Sequence, residues 1–256
     1  MNRPSRKNGF QRPYTCIQFS IWIIFPLFFL IFLLTTIPLL PVEEIVKFIQ
    51  IISTVLNSAL FLSVITYWVL TSLKDAGDSS INSSGLFCTT CFKYVKENSR
   101  HCKICNKCVY KFDHHCTSLN NCIGEQNYSK FVKLLFSLQA YTLSQFIFSL
   151  LTIIRLTYYS GITHRLLNIP TKASLSFNFL TLLLSFSVFS LVTGLLLLHL
   201  YLYYRGLTTY EYIISKRLTS NNNTTEVENK ENQKKIGFSR EIEITRIIPE
   251  ILNNIS

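Results

Sequence analysis

Hydrophobic positions gather into four long blocks, at about Cys16–Leu40, Val46–Leu70, Phe131–Ile154 and Leu175–Tyr203, with polar segments between and outside them. Each block exceeds the roughly 20 residues that a helix needs to cross the hydrocarbon core of a bilayer. The pattern predicts an all-α membrane protein with four transmembrane helices. Pro26 inside the first block predicts a kink rather than a break, and Pro38 and Pro41 suit the exit of that helix. Trp22, Trp68, Tyr158, Tyr159, Tyr201, Tyr203 and Tyr204 lie near block ends, where interfacial aromatics belong. A cleaved signal peptide is the competing reading of the first block, which is too long for one and lacks a small-residue cleavage site.

Composition agrees with a membrane class: 48% of the 256 residues are apolar and the mean hydropathy is +0.28. The formal net charge of +11 would suggest nucleic acid as the partner of a soluble protein. Four spans argue against that, and no nucleic-acid partner is expected. The basic residues instead read topologically. Arg3, Arg6, Lys7 and Arg12 precede the first block, lysines crowd the central loop, and Arg205, Lys216 and Arg217 follow the fourth. The short connections hold few, with Lys47 near one and Arg155, Arg165 and Lys172 around the other. Both tails and the central loop are therefore expected in the cytosol.

These boundaries divide the chain into a cytosolic tail (1–15), helices 1 and 2 (16–73), a cysteine-rich domain (74–130), helices 3 and 4 (131–204) and a cytosolic tail (205–256). Within the last, Ser220–Gln233 reads as a flexible linker. Ile236–Leu252 reads as an amphipathic element or a disordered tail. Asn-x-Ser/Thr sequons at Asn82, Asn127, Asn222, Asn223 and Asn254 fall on the expected cytosolic side and read as chance. No internal repeat is evident.

The chemistry concentrates in the central loop, where Cys88–Cys122 holds seven of the eight cysteines and three of the five histidines. A cytosolic loop is kept reduced, so disulfides are the weaker reading. Cys88-x2-Cys91, then His101-Cys102-x2-Cys105-x2-Cys108, then Asp113-His114-His115-Cys116 and Cys122, has the spacing of zinc-ribbon ligands. Iron–sulfur is disfavoured by the histidines. So short a segment has too little apolar surface to fold unaided, and structural zinc would supply the missing free energy. Two tetrahedral zinc sites use eight ligands. The ten candidates (Cys88, Cys91, His101, Cys102, Cys105, Cys108, His114, His115, Cys116 and Cys122) would leave one thiol and one imidazole over. Spacing does not name that pair. If 113–116 is extended, side chains alternate, and placing His115 on a metal leaves His114 facing Cys116 with Asp113 to orient it. The alternative, that all four are ligands or structural polar groups, stays open on spacing.

Cys-x2-Cys-x9-His-Cys-x2-Cys-x2-Cys-x4-Asp-His-His-Cys-x5-Cys-x4-Asn-x3-Phe, ending at Asn127 and Phe131, resembles the signature of the Asp-His-His-Cys protein S-acyltransferases, the protein palmitoyltransferases. The four-span layout resembles that family too. The resemblance implies Cys116 as nucleophile, His114 as its base and Asp113 as orienter of His114. It implies one zinc on Cys88, Cys91, His101 and Cys108, and another on Cys102, Cys105, His115 and Cys122. Thr208-Thr209-Tyr210-Glu211 is similar to the family's Thr-Thr-x-Glu, whose second threonine, here Thr209, contacts the motif aspartate. Asn232 and Gly237 weakly resemble a C-terminal family motif, with Lys234 in place of its aromatic.

The chain departs from the family pattern in three further places. Asp75-Ala76-Gly77 stands for Asp-Pro-Gly, Thr117 stands where proline is common, and Ser118 replaces a tryptophan beside the acyl thioester. The expected reaction moves a long-chain acyl group, typically palmitoyl, from acyl-CoA to Cys116 and then to cysteines of membrane-associated proteins. Phe131 is expected to line the entrance to the acyl cavity and Tyr141 to lie further along it. Arg100, Lys93, Lys96, Lys103 and Lys130 are candidates for the CoA phosphates. Cys16 reads as a small apolar residue at a helix end or as a modification site of its own. The family implies ER or Golgi membrane. A catalytically impaired, zinc-stabilised membrane adaptor is the competing reading.

Overall fold

The computed structural model describes residues 4–35, 44–79, 85–158 and 170–220. Pro38, Pro41, Asn82, Asn222, Asn223, Asn232, Gly237, Asn254 and the 236–252 element lie outside the described residues. The chain divides into two units, Met1–Thr208 and Thr209–Ser256.

The first unit holds four long helices: α1 Cys16–Thr35, α2 Glu44–Leu73, α3 Tyr128–Tyr158 and α4 Thr171–Arg205. All four contain stretches long and apolar enough to cross a membrane. α1 runs unbroken through Pro26. It begins at an N-cap, where the Thr15 hydroxyl accepts the Gln18 amide at 3.0 Å. α4 ends on Gly206, whose φ of 65° lets its amide and that of Leu207 close the last turn onto Leu202 and Tyr203.

The bundle is inverted relative to a soluble protein. Large apolar residues such as Leu62, Leu151, Phe186 and Leu191 point outward, while Ser174, Asn178, Thr181 and Ser185 form a buried stripe on α4. Buried amides link the helices. Gln145 donates to Asn57 at 3.1 Å between α3 and α2, and Gln139 donates to Thr193 at 2.7 Å between α3 and α4. In an apolar solvent such bonds and close packing, rather than hydrophobic burial, hold helices together.

Between α2 and α3 lie three antiparallel hairpins: β1 Leu86–Cys88 with β2 Lys93–Val95, β3 Ser99–Cys102 with β4 Lys107–Tyr110, and β5 His114–Cys116 with β6 Asn121–Ile123. The chain is thus mostly helical rather than all-α. Strands of three or four residues are too short for their alternation to stand out in the sequence. The Asp-Ala-Gly segment anchors this module. Asp75 accepts the Gly77 amide at 2.8 Å and pairs with Lys107 at 2.7 Å, and Ala76 is buried against Cys102, Cys105 and Val109. Asp78 is buried as well, accepting from Ser99 and from the Lys96 amide.

A buried asparagine fastens the hairpins to the bundle. Asn121 Nδ2 donates to the carbonyls of Lys74, Ser72 and Thr71 at 2.8, 3.2 and 3.3 Å, all at the open C-terminal end of α2. Asn127, also buried, ties Cys122 and Gly124 to the start of α3. The second unit contains a helix over 209–220 among the described residues, which begins at Thr209 and covers the first position of the expected linker.

Asn121→Ala would leave buried helix carbonyls without a donor. We expect it to lower stability by about 2 kcal/mol, seen as an earlier thermal transition of the detergent-solubilised protein. Asn121→Asp, which removes the donor and adds a charge, should cost more.

Candidate metal clusters and thiol–imidazole site

The hairpins bring the ligand candidates together by two simple devices. In β3–β4, His101 stands opposite Cys108, and in β5–β6, His115 stands opposite Cys122. Each such cross-strand pair presents one imidazole and one thiolate donor side by side. The other two donors come from the turn of the preceding hairpin: Cys88 and Cys91 for the first cluster, Cys102 and Cys105 for the second. Each turn closes just after its second cysteine on a residue with positive φ, Phe92 at 51° and Asn106 at 49°. The middle hairpin therefore serves both clusters, with His101 on one face and the adjacent Cys102 on the other.

Each cluster could hold one metal ion, with all four donor atoms within 4.8 Å of one another. His101 Nδ1 lies 3.9, 3.2 and 3.8 Å from the sulfurs of Cys88, Cys91 and Cys108, and Cys91 and Cys108 are 3.6 Å apart. His115 Nδ1 lies 3.9, 3.3 and 3.8 Å from Cys102, Cys105 and Cys122. A tetrahedron around zinc with bonds of about 2.0 Å to nitrogen and about 2.3 Å to sulfur has edges of roughly 3.5–3.8 Å. The donor sets and their spacing fit.

Because β5 is extended, its side chains alternate. His115 points into the second cluster, and His114 and Cys116 turn the other way. His114 Nδ1 is 2.7 Å from Asp113 Oδ2, whose carboxylate is buried. This leaves Nε2 of His114 for the hydrogen bond with Cys116. Cys116 Sγ also lies 3.0 Å from Ser118 Oγ. Burial works against charge on both partners, but their contacts outweigh it. The hydrogen bonds to Asp113 and Cys116 raise His114 to about 9. Those from His114 and Ser118, with the imidazolium charge, hold the Cys116 thiol below its ordinary value. The pair is poised as thiolate and imidazolium, the form in which sulfur attacks carbonyl carbon.

Cys116, His114 and Ser118 open into a cavity of about 350 Å³, lined on its remaining sides by apolar residues of all four long helices, among them Phe25, Val64, Leu134 and Val192. Phe131 lines it, edge-on to His114 with ring centroids 5.3 Å apart. Tyr141 lies behind the cavity surface instead. It is fully buried, with its ring 6.2 Å from Phe25 and 5.8 Å from Phe61. Thr209 belongs to the second unit. Cys16 is exposed at the first position of α1. Of the basic candidates, Lys93 donates to the Asp78 carbonyl, Lys96 lies over Tyr110, Arg100 donates to Glu97 and Ser99, and Lys103 is exposed.

The N-terminal segment, expected only as a tail, is part of this site. The Arg6 guanidinium is buried and donates to the side chain and carbonyl of Asn120 and to the Pro13 carbonyl. Asn120 returns bonds to the carbonyls of Gly9, Gln11 and Pro13. The Arg6 amide donates to Cys105, and the Thr15 hydroxyl donates to Thr117 at 2.8 Å. At Gly9 any Cβ would fall on the Leu119 carbonyl, so only glycine fits that close approach. Residues 4–15 thus clamp the turn that follows Cys116. A lone glycine among basic residues was the only sequence signal, and charge alone explained those residues equally well.

Fold and site together define a multi-pass membrane protein, mostly helical, with a Cys/His module between its second and third spans and a thiol–imidazole pair at their junction. Residues 81–216, more than half of the chain, match the DHHC palmitoyltransferase family. The chain belongs to that family. No curated protein sequence matches it.

The pair's electrostatics predict a pH profile. His114 keeps its proton up to about 9, so thiolate should persist from the lowered Cys116 value upward. Alkylation of Cys116 by iodoacetamide should therefore have its midpoint below that of an ordinary thiol. In His114→Ala burial acts without that opposition, and the midpoint should move upward; equal midpoints would contradict the pairing.

Proposed function

We propose that the protein is a protein S-acyltransferase that moves a long-chain acyl group, palmitoyl in the first instance, from acyl-CoA to cysteine thiols of membrane-associated proteins. The observation that carries this reading is the position of Cys116. Its sulfur lies outside both metal-ligand sets, is bonded to His114, and faces an apolar cavity between the long helices.

In the first step the Cys116 thiolate attacks the thioester carbonyl of acyl-CoA. The tetrahedral adduct collapses, the bond to CoA sulfur breaks, and the CoA thiolate takes the proton held on His114. In the second, His114 accepts the proton of an incoming protein thiol, which attacks the acyl-enzyme and releases Cys116. Asp113, bonded to Nδ1, holds the imidazole in orientation throughout. Each methylene of the chain gains roughly 0.8 kcal/mol by leaving water, so the acyl group is drawn into the cavity lined by Phe131, Leu134 and Leu135. Tyr141 acts from behind Phe25 rather than on the chain directly.

Two zinc ions, one on Cys88, Cys91, His101 and Cys108 and one on Cys102, Cys105, His115 and Cys122, would supply the folding free energy of the hairpins. They take no part in the acyl steps. The four spans, with 74–130 and both tails in the cytosol, would set the thiol at the membrane face of the ER or Golgi. Its partners there are acyl-CoA, lipid and proteins with membrane-proximal cysteines; nucleic acid is not among them.

Incubation of the purified protein with labelled acyl-CoAs of graded length tests the reading. A hydroxylamine-sensitive label should appear on the wild type and be absent from Cys116→Ser. A wild type that never acquires label would instead leave the adaptor role. Metal analysis should find two zinc ions per chain, falling to one in Cys122→Ser with loss of hairpin structure.

A further inference from the structure

The turn that follows Cys116 carries a hydroxyl that the acyl-transfer scheme above does not use. Ser118 lines the cavity, and its Oγ lies 3.0 Å from Cys116 Sγ. Among the described residues it supplies the one hydroxyl on the cavity wall, which is otherwise apolar or aromatic apart from His114 and Cys116. Its place is set from outside the cavity. The turn closes with the Asn120 amide on the Thr117 carbonyl at 3.3 Å, and the Thr15 hydroxyl holds that same carbonyl at 2.8 Å. The next residue, Leu119, is buried with its carbonyl against Gly9. The hydroxyl hydrogen turns about the Cβ–Oγ bond to suit its acceptor, while the clamped backbone fixes the base from which it turns.

Before acylation this hydroxyl donates to the Cys116 thiolate. Acylation changes the acceptor. A sulfur bonded to two carbons accepts hydrogen bonds only weakly, and the acyl group brings a carbonyl oxygen onto the carbon beside it. Sulfur and oxygen are then substituents of one carbon, so a donor resting against the sulfur reaches the oxygen by rotation of its O–H. His114 does not serve there, because its proton goes to the departing CoA thiolate. We propose that the Ser118 hydroxyl is the hydrogen-bond donor to the acyl carbonyl oxygen at Cys116. This deepens the S-acyltransferase reading and rests on it. When the Cys116 sulfur bonds to the carbonyl carbon, the C=O π pair moves onto oxygen, where the Ser118 O–H meets it. The pair then returns, the bond to CoA sulfur breaks, and the CoA thiolate leaves with the His114 proton. The incoming protein thiol repeats the sequence with Cys116 as the leaving sulfur. A donor already in place when that charge develops needs no reorganisation. Ser118, a departure from the family pattern, is in this scheme a catalytic residue.

The test uses the full chain in nanodiscs, palmitoyl-CoA carrying ¹³C at its carbonyl, and infrared difference spectra of the acyl-enzyme. Ser118→Ala removes the hydroxyl and Ser118→Thr keeps it. Rates are compared at a pH where each protein alkylates with iodoacetamide at its plateau, so that a change in thiolate content does not enter. In the wild type the thioester carbonyl band should lie below that of the same thioester in hydrocarbon. In Ser118→Ala it should move up, with the acylation rate falling by about 10²-fold, little change in KM for acyl-CoA and unchanged metal content. Ser118→Thr should return both band and rate toward the wild type. A Ser118→Ala protein that alkylates normally yet labels too slowly to give a band supports the inference through its rate. A thioester that forms in Ser118→Ala with an unmoved band, or a Ser118→Thr band that stays with that of Ser118→Ala, overturns this inference alone. A hydroxylamine-resistant ester on wild-type Ser118 overturns it too, by making the hydroxyl an acyl acceptor. Absence of any thioester on wild-type Cys116 overturns the acyltransferase reading and this one with it.

Discussion

The site depends on the alternation of side chains along one short strand. In β5 the carbonyls and amides of His114–Cys116 pair with Asn121–Ile123, which fixes the strand as extended and sends neighbouring side chains to opposite faces. His115, opposite Cys122, is committed to the second metal-ligand cluster. His114 and Cys116, on either side of it, are thereby turned toward the cavity. A register slip of one residue would exchange the two faces, putting the thiol among the metal ligands and the ligand imidazole in the cavity. The cluster on one face therefore fixes what the other face can do. That coupling gives two metal-ligand sets a reason to exist in a protein whose proposed chemistry needs no metal in its steps.

The surrounding contacts reinforce that one strand. Asn121 holds the returning strand to the carbonyl end of α2, and Asn120 holds the turn between the strands to Arg6 and Gly9. Both are neutral amides in places where a charged group would need a counter-ion and an apolar one would leave carbonyls unbonded. Ser118, where the family pattern has tryptophan, gives its hydroxyl to Cys116 instead of an aromatic surface. The aromatic surface of this cavity comes from the helices, through Trp22, Trp68, Phe25 and Phe131. The departure at Ser118 thus leaves a cavity that is still walled by rings, with a hydroxyl beside the sulfur.

Much of this was legible in the sequence because it rests on local periodicity or spacing. Four apolar blocks specify four helices whatever their neighbours do, since a span's length is set by the bilayer. Paired cysteines two residues apart specify metal turns. Alternation within Asp113–Cys116 was enough to separate His115 from its neighbours once a strand was assumed. The hairpins themselves were not legible, because strands of three or four residues carry no resolvable period. Nor was the role of Arg6 and Gly9, which meet Asn120, or of Phe10, which meets Trp68, because those partners lie far along the chain. Tyr141 sits on the right helix, but its azimuth, set by Phe25 and Phe61, puts it behind the cavity surface.

The sequence by itself determined the class of protein and the ten metal-ligand candidates, because these depend on covalent spacing and on transfer from water; which thiol is left over came only from the resemblance to the family. Tertiary structure decided what the thiol sees: the Asp113–His114 bond behind it, the hydroxyl of Ser118 beside it, and the clamp of residues 4–15 over its turn. It also turned two tryptophans that sequence position assigned to the membrane surface into the lining of a cavity. Those relations join segments far apart in the chain, and only packing, with the burial and pairing of polar groups that it enforces, could select them.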